Sequence, residues 1–221
     1  MNTKIAILTI TLIISSLNLF SQKSNYYFIG GISFPNEKVV NIFTDNKIET
    51  TDSIVQYNQV RLSSPETGYN LNFKLSLPLS DKASFFGGFG LYKFKTNEVE
   101  LYESESAIKT GSFNFQTTIY PLSAGIIYKI YSSKFSVYSL AQLDYNYVVN
   151  SLDNIESKYI LKLSKESTES QFGFSAGVGF EYSLGNAALI LEGLYTNINY
   201  IQNSKNEINK QILSIKTGLK F

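Results

Sequence analysis

Along most of the chain, apolar and polar residues alternate with a period of two. The clearest run is Tyr69-Asn70-Leu71-Asn72-Phe73-Lys74-Leu75-Ser76-Leu77, apolar at every odd position and polar at every even one. Successive side chains of a strand leave opposite faces, so this period predicts strands with two unlike faces. Phe135–Tyr147 repeats the pattern, with Phe135, Val137, Ala141, Leu143, Tyr145 and Tyr147 set against Ser136, Gln142, Asp144 and Asn146. From Phe172 to Tyr182, Phe174, Ala176, Val178, Phe180 and Tyr182 oppose Gly173, Ser175, Gly177, Gly179 and Glu181. The last run sets Leu213, Ile215, Thr217, Leu219 and Phe221 against Ser214, Lys216, Gly218 and Lys220. Four less regular strands are expected at Asn25–Ser33, Ala83–Lys95, Ser112–Tyr131 and Ala187–Tyr200. In Ser112–Tyr131 the apolar parity switches near Ile119-Tyr120-Pro121, where a β-bulge is expected, since a bulge shifts parity and tolerates proline.

The connections follow a rhythm. Short ones at Pro78–Lys82, Ser132–Lys134 and Leu184–Asn186 alternate with long ones near Phe34–Pro65, Thr96–Gly111, Asn150–Ser170 and Ile201–Asn209. Eight strands joined in this order predict an all-β fold, an antiparallel up-and-down barrel with three turns and both termini at one end and four long loops at the other. Short turns on one side, longer loops on the other and an even strand number are features of a transmembrane β-barrel.

Residues 1–21 read as a cleaved export signal. Lys4 supplies the positive start, Ile5–Ile14 is almost wholly apolar, and small residues precede a junction between Ser21 and Gln22. The apolar run is too short and interrupted for a ~20-residue membrane helix, and no Cys stands at the junction for a lipid anchor. The barrel is then expected to occupy residues 22–221.

Composition narrows the function classes. Only 17% of the residues are charged, against 43% hydrophobic, and the chain has no Cys and no His. That excludes disulfides, His- or Cys-ligated metal sites, and His-dependent nucleophilic triads. The formal charge is +1, and loss of Lys4 with the signal leaves 18 basic and 18 acidic residues. The basic residues are scattered, which gives no case for nucleic acid. No P-loop or dinucleotide fingerprint occurs, and no cofactor is implied. Glu103-Ser104-Glu105-Ser106 reads as a solvated loop. Asp45, Glu49 and Asp52 lack the spacing of a Ca²⁺ loop.

Alternation alone does not say which face is inside, and a soluble lipocalin-like barrel binding a small apolar ligand has the same period. Three features favour lipid outside. The apolar faces are uniform, and the small and polar faces suit the narrow interior of eight strands. Aromatic residues sit near strand ends (Tyr69, Tyr128, Tyr145, Tyr147, Tyr182, Tyr195, Phe221), as interfacial girdles require. The chain also ends on an alternating strand with Leu219 and Phe221, which resembles the sorting signal read by the barrel-assembly machinery. The polar faces carry Lys74, Lys93, Lys129, Asp144, Glu181, Glu192 and Lys216. Facing lipid, each charge would cost ~2–4 kcal/mol at mid-bilayer for a Lys. They are therefore expected in the lumen, with Glu181 or Glu192 pairing with Lys74 or Lys216, and read as paired charges closing a narrow barrel rather than as an ion path.

The chain resembles the small outer-membrane β-barrel proteins of Gram-negative bacteria, in particular the Bacteroidetes-type outer membrane protein beta-barrel domain group. The resemblance rests on Leu19-Phe20-Ser21-Gln22, on Tyr120-Pro121-Leu122 running into Ile126-Ile127-Tyr128, on the glycine-rich Phe174–Tyr182 strand, and on terminal Phe221. It implies residence among outer-membrane lipid. With no His for the chemistry of the barrel enzymes, the expectation is a monomeric, non-enzymatic barrel with a structural, adhesive or accessory role. The loops would carry that role by binding an extracellular protein or glycan. Phe34–Pro65 is the longest, and its Ile42-Phe43 and Ile54-Val55-Gln56-Tyr57 segments are expected to prolong barrel strands. An accessory barrel of a secretion system, PorT-like, stays open as an alternative.

Overall fold

The computed structural model describes residues 24–36, 47–49, 54–56, 60–61, 66–95, 99–102, 109–157, 166–199 and 210–221. The expected signal, its Ser21–Gln22 junction, Asp45, Asp52, Glu103 and Glu105 lie outside them. Eight long strands follow one another: β1 (Asn25–Pro35), β2 (Gly68–Pro78), β3 (Ala83–Lys95), β4 (Lys109–Tyr131), β5 (Phe135–Ser157), β6 (Glu166–Ser183), β7 (Ala188–Asn197) and β8 (Gln211–Lys220). Each pairs antiparallel with its chain neighbours, and β8 returns to β1 through Tyr27↔Lys220 and Ser33↔Ser214. The eight long strands close on themselves without a free edge among them, as a bilayer demands of strands. Tyr26 and Phe221 exchange both backbone hydrogen bonds at 2.9–3.0 Å, which places the two ends of the barrel side by side at the turn end.

The turns are short and use local chemistry. The Ser80 hydroxyl accepts the Ala83 amide at 3.0 Å, and the Ser133 hydroxyl accepts the Phe135 amide at 3.2 Å. In the β6–β7 turn Gly185 has φ +95°, a left-handed conformation that favours glycine.

The opposite end is longer than expected. β4 and β5 each run 23 residues and β6 runs 18, whereas ~9–11 tilted residues cross a bilayer. Segments expected as loop, 109–111, 150–157 and 166–170, continue the ladder instead, from Gly111↔Ser157 to Glu166↔Ser151. A short strand, Val99–Tyr102, joins the outer flank of β4, and Val60–Arg61 joins that in turn. Ile54–Gln56 does not prolong a barrel strand as expected. It pairs with Lys47–Glu49 in a separate two-stranded sheet, because its partner is the nearest segment in sequence; Ile42-Phe43 lies outside the described residues.

The bulge expected near Ile119-Tyr120-Pro121 is absent. The register runs unbroken from Thr118↔Val149 to Leu122↔Tyr145, and irregularities fall instead between Ser112 and Asn114 and between Lys129 and Tyr131. The parity switch has another cause. Ile119 points into the lumen, 1% exposed, while Tyr120 and Leu122 point outward at 48% and 62%. The strand keeps its register and the lumen changes from polar to apolar at this level.

The barrel is inside-out relative to a soluble protein. Phe28, Leu71, Phe89, Leu122, Leu143, Val178 and Ile215 stand outward, and Asn70, Lys74, Asp144, Ser175, Glu192 and Lys216 are buried inside. A soluble lipocalin-like barrel needs the reverse, so that alternative fails. Outward aromatics gather in two belts. Tyr26, Tyr128, Tyr131, Phe135, Tyr182 and Phe221 ring the turn end, while Tyr69, Tyr120, Tyr145, Tyr147, Phe172 and Tyr195 stand toward the loop end. Tyr145 meets Phe172 edge-on at 5.2 Å and Tyr120 lies 6.4 Å from Tyr147. From Tyr120 to Tyr128 along β4 the rise is about 20 Å, at ~3.4 Å per residue and a ~40° tilt. That nearly matches the ~25 Å apolar band of outer-membrane barrels.

Candidate functional site

The lumen is layered. An apolar cluster of Tyr27, Ile29, Phe86, Ile127, Tyr138, Leu140, Ile190 and Leu194 fills the turn-side half. A second cluster, Tyr92, Phe94, Ile119, Val148, Ile198 and Ile212, crosses the lumen toward the loops. The expected polar lumen is thus polar only in part. Eight strands enclose a space that side chains fill, and apolar side chains fill a dry space without needing partners.

Ionic and hydroxyl groups gather between these layers. Lys74 Nζ donates to both oxygens of Glu192, at 2.9 and 2.8 Å, with the two side chains 4% and 1% exposed. The ammonium also lies 5.2 Å from the centre of the Phe86 ring, and the Tyr138 hydroxyl donates to Glu192 Oε2 at 3.3 Å. Lys216 is the cross-strand neighbour of Glu192, but its ammonium reaches Tyr92 and donates to the phenol oxygen at 2.9 Å. Asp144 is held by neutral donors: Ser123 and Gln142 reach Oδ1 at 2.6 Å, and Ser175 donates to Oδ2. Ser33, Ser214 and Asn70 extend the network on the β1–β8–β2 side, at 2.7 and 2.8 Å. Two cations and two carboxylates share the layer, so it is neutral overall. Buried charges stay ionised at tolerable cost only when paired and hydrogen-bonded in this way.

Glycines make room for it. A Cβ on Gly88 would sit 3.3 Å from Lys74 Cγ, and one on Gly90 would sit 2.6 Å from Asn72 Oδ1. A Cβ on Gly179 would fall within contact of the Tyr138 ring atoms, so Gly179 provides the flat floor against which Tyr138 lies.

Glu181 lies apart from this layer. It pairs with Lys220 at 2.6 Å near the turn end, where Lys220 also stands 5.7 Å from the Tyr27 ring centre. Of the expected alternatives, Glu192 is the carboxylate that pairs with Lys74, while Glu181 pairs with Lys220 because both lie near the C-terminal ends of β6 and β8, at the same end of the barrel. Lys129 follows the inward parity of Ile127 and pairs in register with Tyr138. Lys93 does not enter the lumen. On β3 the inward residues are Phe86, Gly88, Gly90, Tyr92 and Phe94, which leaves Lys93 on the outer face, in register with outward Tyr69. β3 is aromatic on both faces, so its hydrophobicity carries no parity signal. Leu219 and Phe221 stand outward at the turn end, and Phe221 lies 6.5 Å from Phe28.

Tyr138, Tyr92 and Lys220 complete the lumen without having been singled out in the sequence. Parity would have found Tyr138, which shares a face with Asp144. A further pair, Lys210 and Glu169 at 3.3 Å, sits on the loop side of the upper apolar layer, with Gln171 donating to the same carboxylate at 2.9 Å. Among the described residues no group of three or more potential metal ligands gathers.

The outer membrane protein beta-barrel domain model matches residues 94–221, more than half of the chain. The chain belongs to the outer membrane protein beta-barrel domain family. This places it in the outer membrane. In barrels of this membrane the short turns face the periplasm and the long loops face outward, so the β4–β6 extension is extracellular. Solved structures with the same fold include the outer membrane protease OmpT from Escherichia coli, 11% identical over 90% of this chain and 96% of that chain, with a TM-score of 0.52. Neisserial surface protein A is 14% identical over 90% and 98%, TM-score 0.49. Ail, the attachment invasion locus protein of Yersinia pestis, is 11% identical over 90% and 100%, TM-score 0.40. At 11% identity the likeness to OmpT concerns the barrel fold alone. A search of curated proteins finds no match. Within the family fold, the layered lumen is the candidate site, and what it can do chemically is hold charges fixed.

Proposed function

We propose that this barrel is a closed, non-enzymatic scaffold of the outer membrane whose role, structural, adhesive or accessory, is exerted outside the cell. The supporting observation is the cross-section of the lumen. The upper apolar layer, with Phe94, Ile119 and Ile212 each 1% exposed, lies across the path that a hydrated solute would take. Below it the Lys74–Glu192 pair bridges the lumen between the non-adjacent strands β2 and β7. A pore needs a continuous polar lumen and far more strands. No residue of the lumen layer is assigned a catalytic role.

The extracellular prolongation of β4, β5 and β6 favours a recognition role for that end, since backbone beyond the membrane contributes nothing to spanning it. A protein or glycan is the partner class that such a surface and the adjoining loops would meet. The test joins two measurements on purified protein. In planar bilayers, no steady conductance is expected, and a persistent open-channel current would overturn the closed reading. On arrays of host matrix proteins and glycans, binding is expected that disappears when residues 37–59 are deleted. Binding unaffected by that deletion, or none at all, would sink the adhesive part of the proposal.

A further inference from the structure

The outer face of β1–β3 carries a depression that the flat apolar belt elsewhere does not require. It is lined by Phe28, Gly30, Leu71, Phe73, Phe89 and Leu91, with Tyr120 at its flank, and holds about 610 Å³. Its floor exists because Gly30 presents no side chain outward; a Cβ there would approach Leu71 Cδ2 to 2.9 Å. The lining is almost wholly apolar, and the rim is aromatic: Phe28, Phe73 and Phe89 stand in register with ring centroids 5.1 and 5.4 Å apart. Such a recess, facing lipid, fits an acyl chain better than a flat wall does.

The strand that forms one side of the recess continues toward the extracellular end with Lys93 and Lys95. Lys93 is two residues beyond Leu91 on the same outward parity, about 7 Å along the strand, and Lys95 is two residues further and exposed. Lys93 pairs in register with Tyr69 of the outer aromatic belt, which fixes its level at the membrane–water boundary. Among the described residues neither ammonium meets a carboxylate. The Glu66 amide donates to the Lys95 carbonyl at 2.8 Å, which brings one acidic residue to this corner beside the two lysines.

An apolar recess directly below paired cations, at headgroup height, has the chemistry of a lipid whose head bears phosphate. We propose that the outer face of β1–β3 holds one net-anionic phosphorylated lipid of the outer leaflet, its acyl chain in the Gly30 recess and its phosphate, not neutralised by a cationic head group as in phosphatidylcholine, on Lys93 and Lys95. The site is separate from the lumen and from the extracellular surface, and it rests only on the membrane orientation of the barrel. Long cationic side chains at the boundary reach the headgroup layer by snorkelling, and each Lys near an anionic surface adds about fivefold to binding.

The test is native mass spectrometry of the folded full chain in a non-ionic detergent, titrated with lipid A and, separately, with phosphatidylcholine. The expected result is one lipid A retained per barrel in preference to phosphatidylcholine. The double variant Lys93→Gln/Lys95→Gln, both outside the packed lumen, should lower retention of lipid A roughly tenfold or more and leave phosphatidylcholine unchanged. Gly30→Leu, which fills the recess, should lower retention of both. Equal retention of the two lipids by the native chain, or lipid A retention unaltered in the double variant, would overturn the proposal. Folding of each variant is read from its mobility on unboiled gels.

Discussion

Lys74 on β2 and Glu192 on β7, 118 residues apart in sequence, meet across the lumen in a two-oxygen ion pair. Neither strand is a neighbour of the other in the sheet. The pair therefore ties two strands of the cylinder that β1 and β8 separate, which backbone hydrogen bonding between adjacent strands does not do.

Removing one partner strands the other charge in a water-poor interior. Glu192→Leu or Lys74→Met should each destabilise the barrel by about 3–5 kcal/mol, and the double variant Lys74→Met/Glu192→Leu should recover most of that loss. Equilibrium unfolding in urea, followed by the gel shift of the folded form, measures it. A double-variant loss equal to the sum of the two single losses would show that the two side chains act independently.

Tyr138 lies against Gly179 and donates to Glu192. Gly179→Ala should cost about 1–3 kcal/mol through overpacking. Adding Tyr138→Ala should relieve the clash, so the double variant should lose less than the sum of the single losses. The same unfolding assay reads both. An unperturbed Gly179→Ala barrel would mean that the ring has room to move aside.

The outer face is an assignment that one charge tests. Leu143 is 68% exposed near mid-height on β5. Leu143→Lys should destabilise the barrel in bilayers by ~2–4 kcal/mol, the cost for a Lys near the midplane. Glu66→Lys, on an exposed extracellular segment, should change it little. Comparable effects from both would contradict the lipid-facing role of Leu143.

Leu219 and Phe221 are proposed as the sorting signal for the barrel-assembly machinery. Phe221 keeps its backbone bonds to Tyr26 whatever its side chain. Phe221→Ala should therefore refold normally in detergent yet reach the outer membrane severalfold less efficiently in cells. Quantifying folded protein in outer-membrane fractions checks this. Unchanged assembly in cells would dismiss the signal.

The proposed export signal ends at Ser21. The intact mass of protein purified from outer membranes should match a chain beginning at Gln22. A mass that includes residues 1–21 would refute cleavage there.

Much of the fold was legible in the chain because period-two alternation is a local property of strands. Tyr69–Leu77 and Phe172–Tyr182 show it residue by residue, and the alternation of short turns and long connections gives the up-and-down order. The extracellular reach of β4–β6 was less legible, since beyond the bilayer neither lipid nor lumen imposes a contrast between faces. Lys93 was misplaced for a related reason: with aromatics on both sides of β3, only closure of the barrel chooses the inner face.

The sequence by itself determined the element type and the strand order, because each follows from side-chain alternation and from the turn residues between strands; the reversal of polarity needed more than alternation and was read from the uniform apolar faces, the small polar faces and the aromatic residues near strand ends. Only the tertiary structure decided which charges meet. Lys74 with Glu192, Lys220 with Glu181 and Lys216 with Tyr92 depend on strand register, tilt and the level of each residue in the cylinder. It also decided that the lumen alternates apolar and ionic layers, as Ile119 shows: its place in the sequence looks like a break in the strand, and its place in the barrel is part of the layer that closes it.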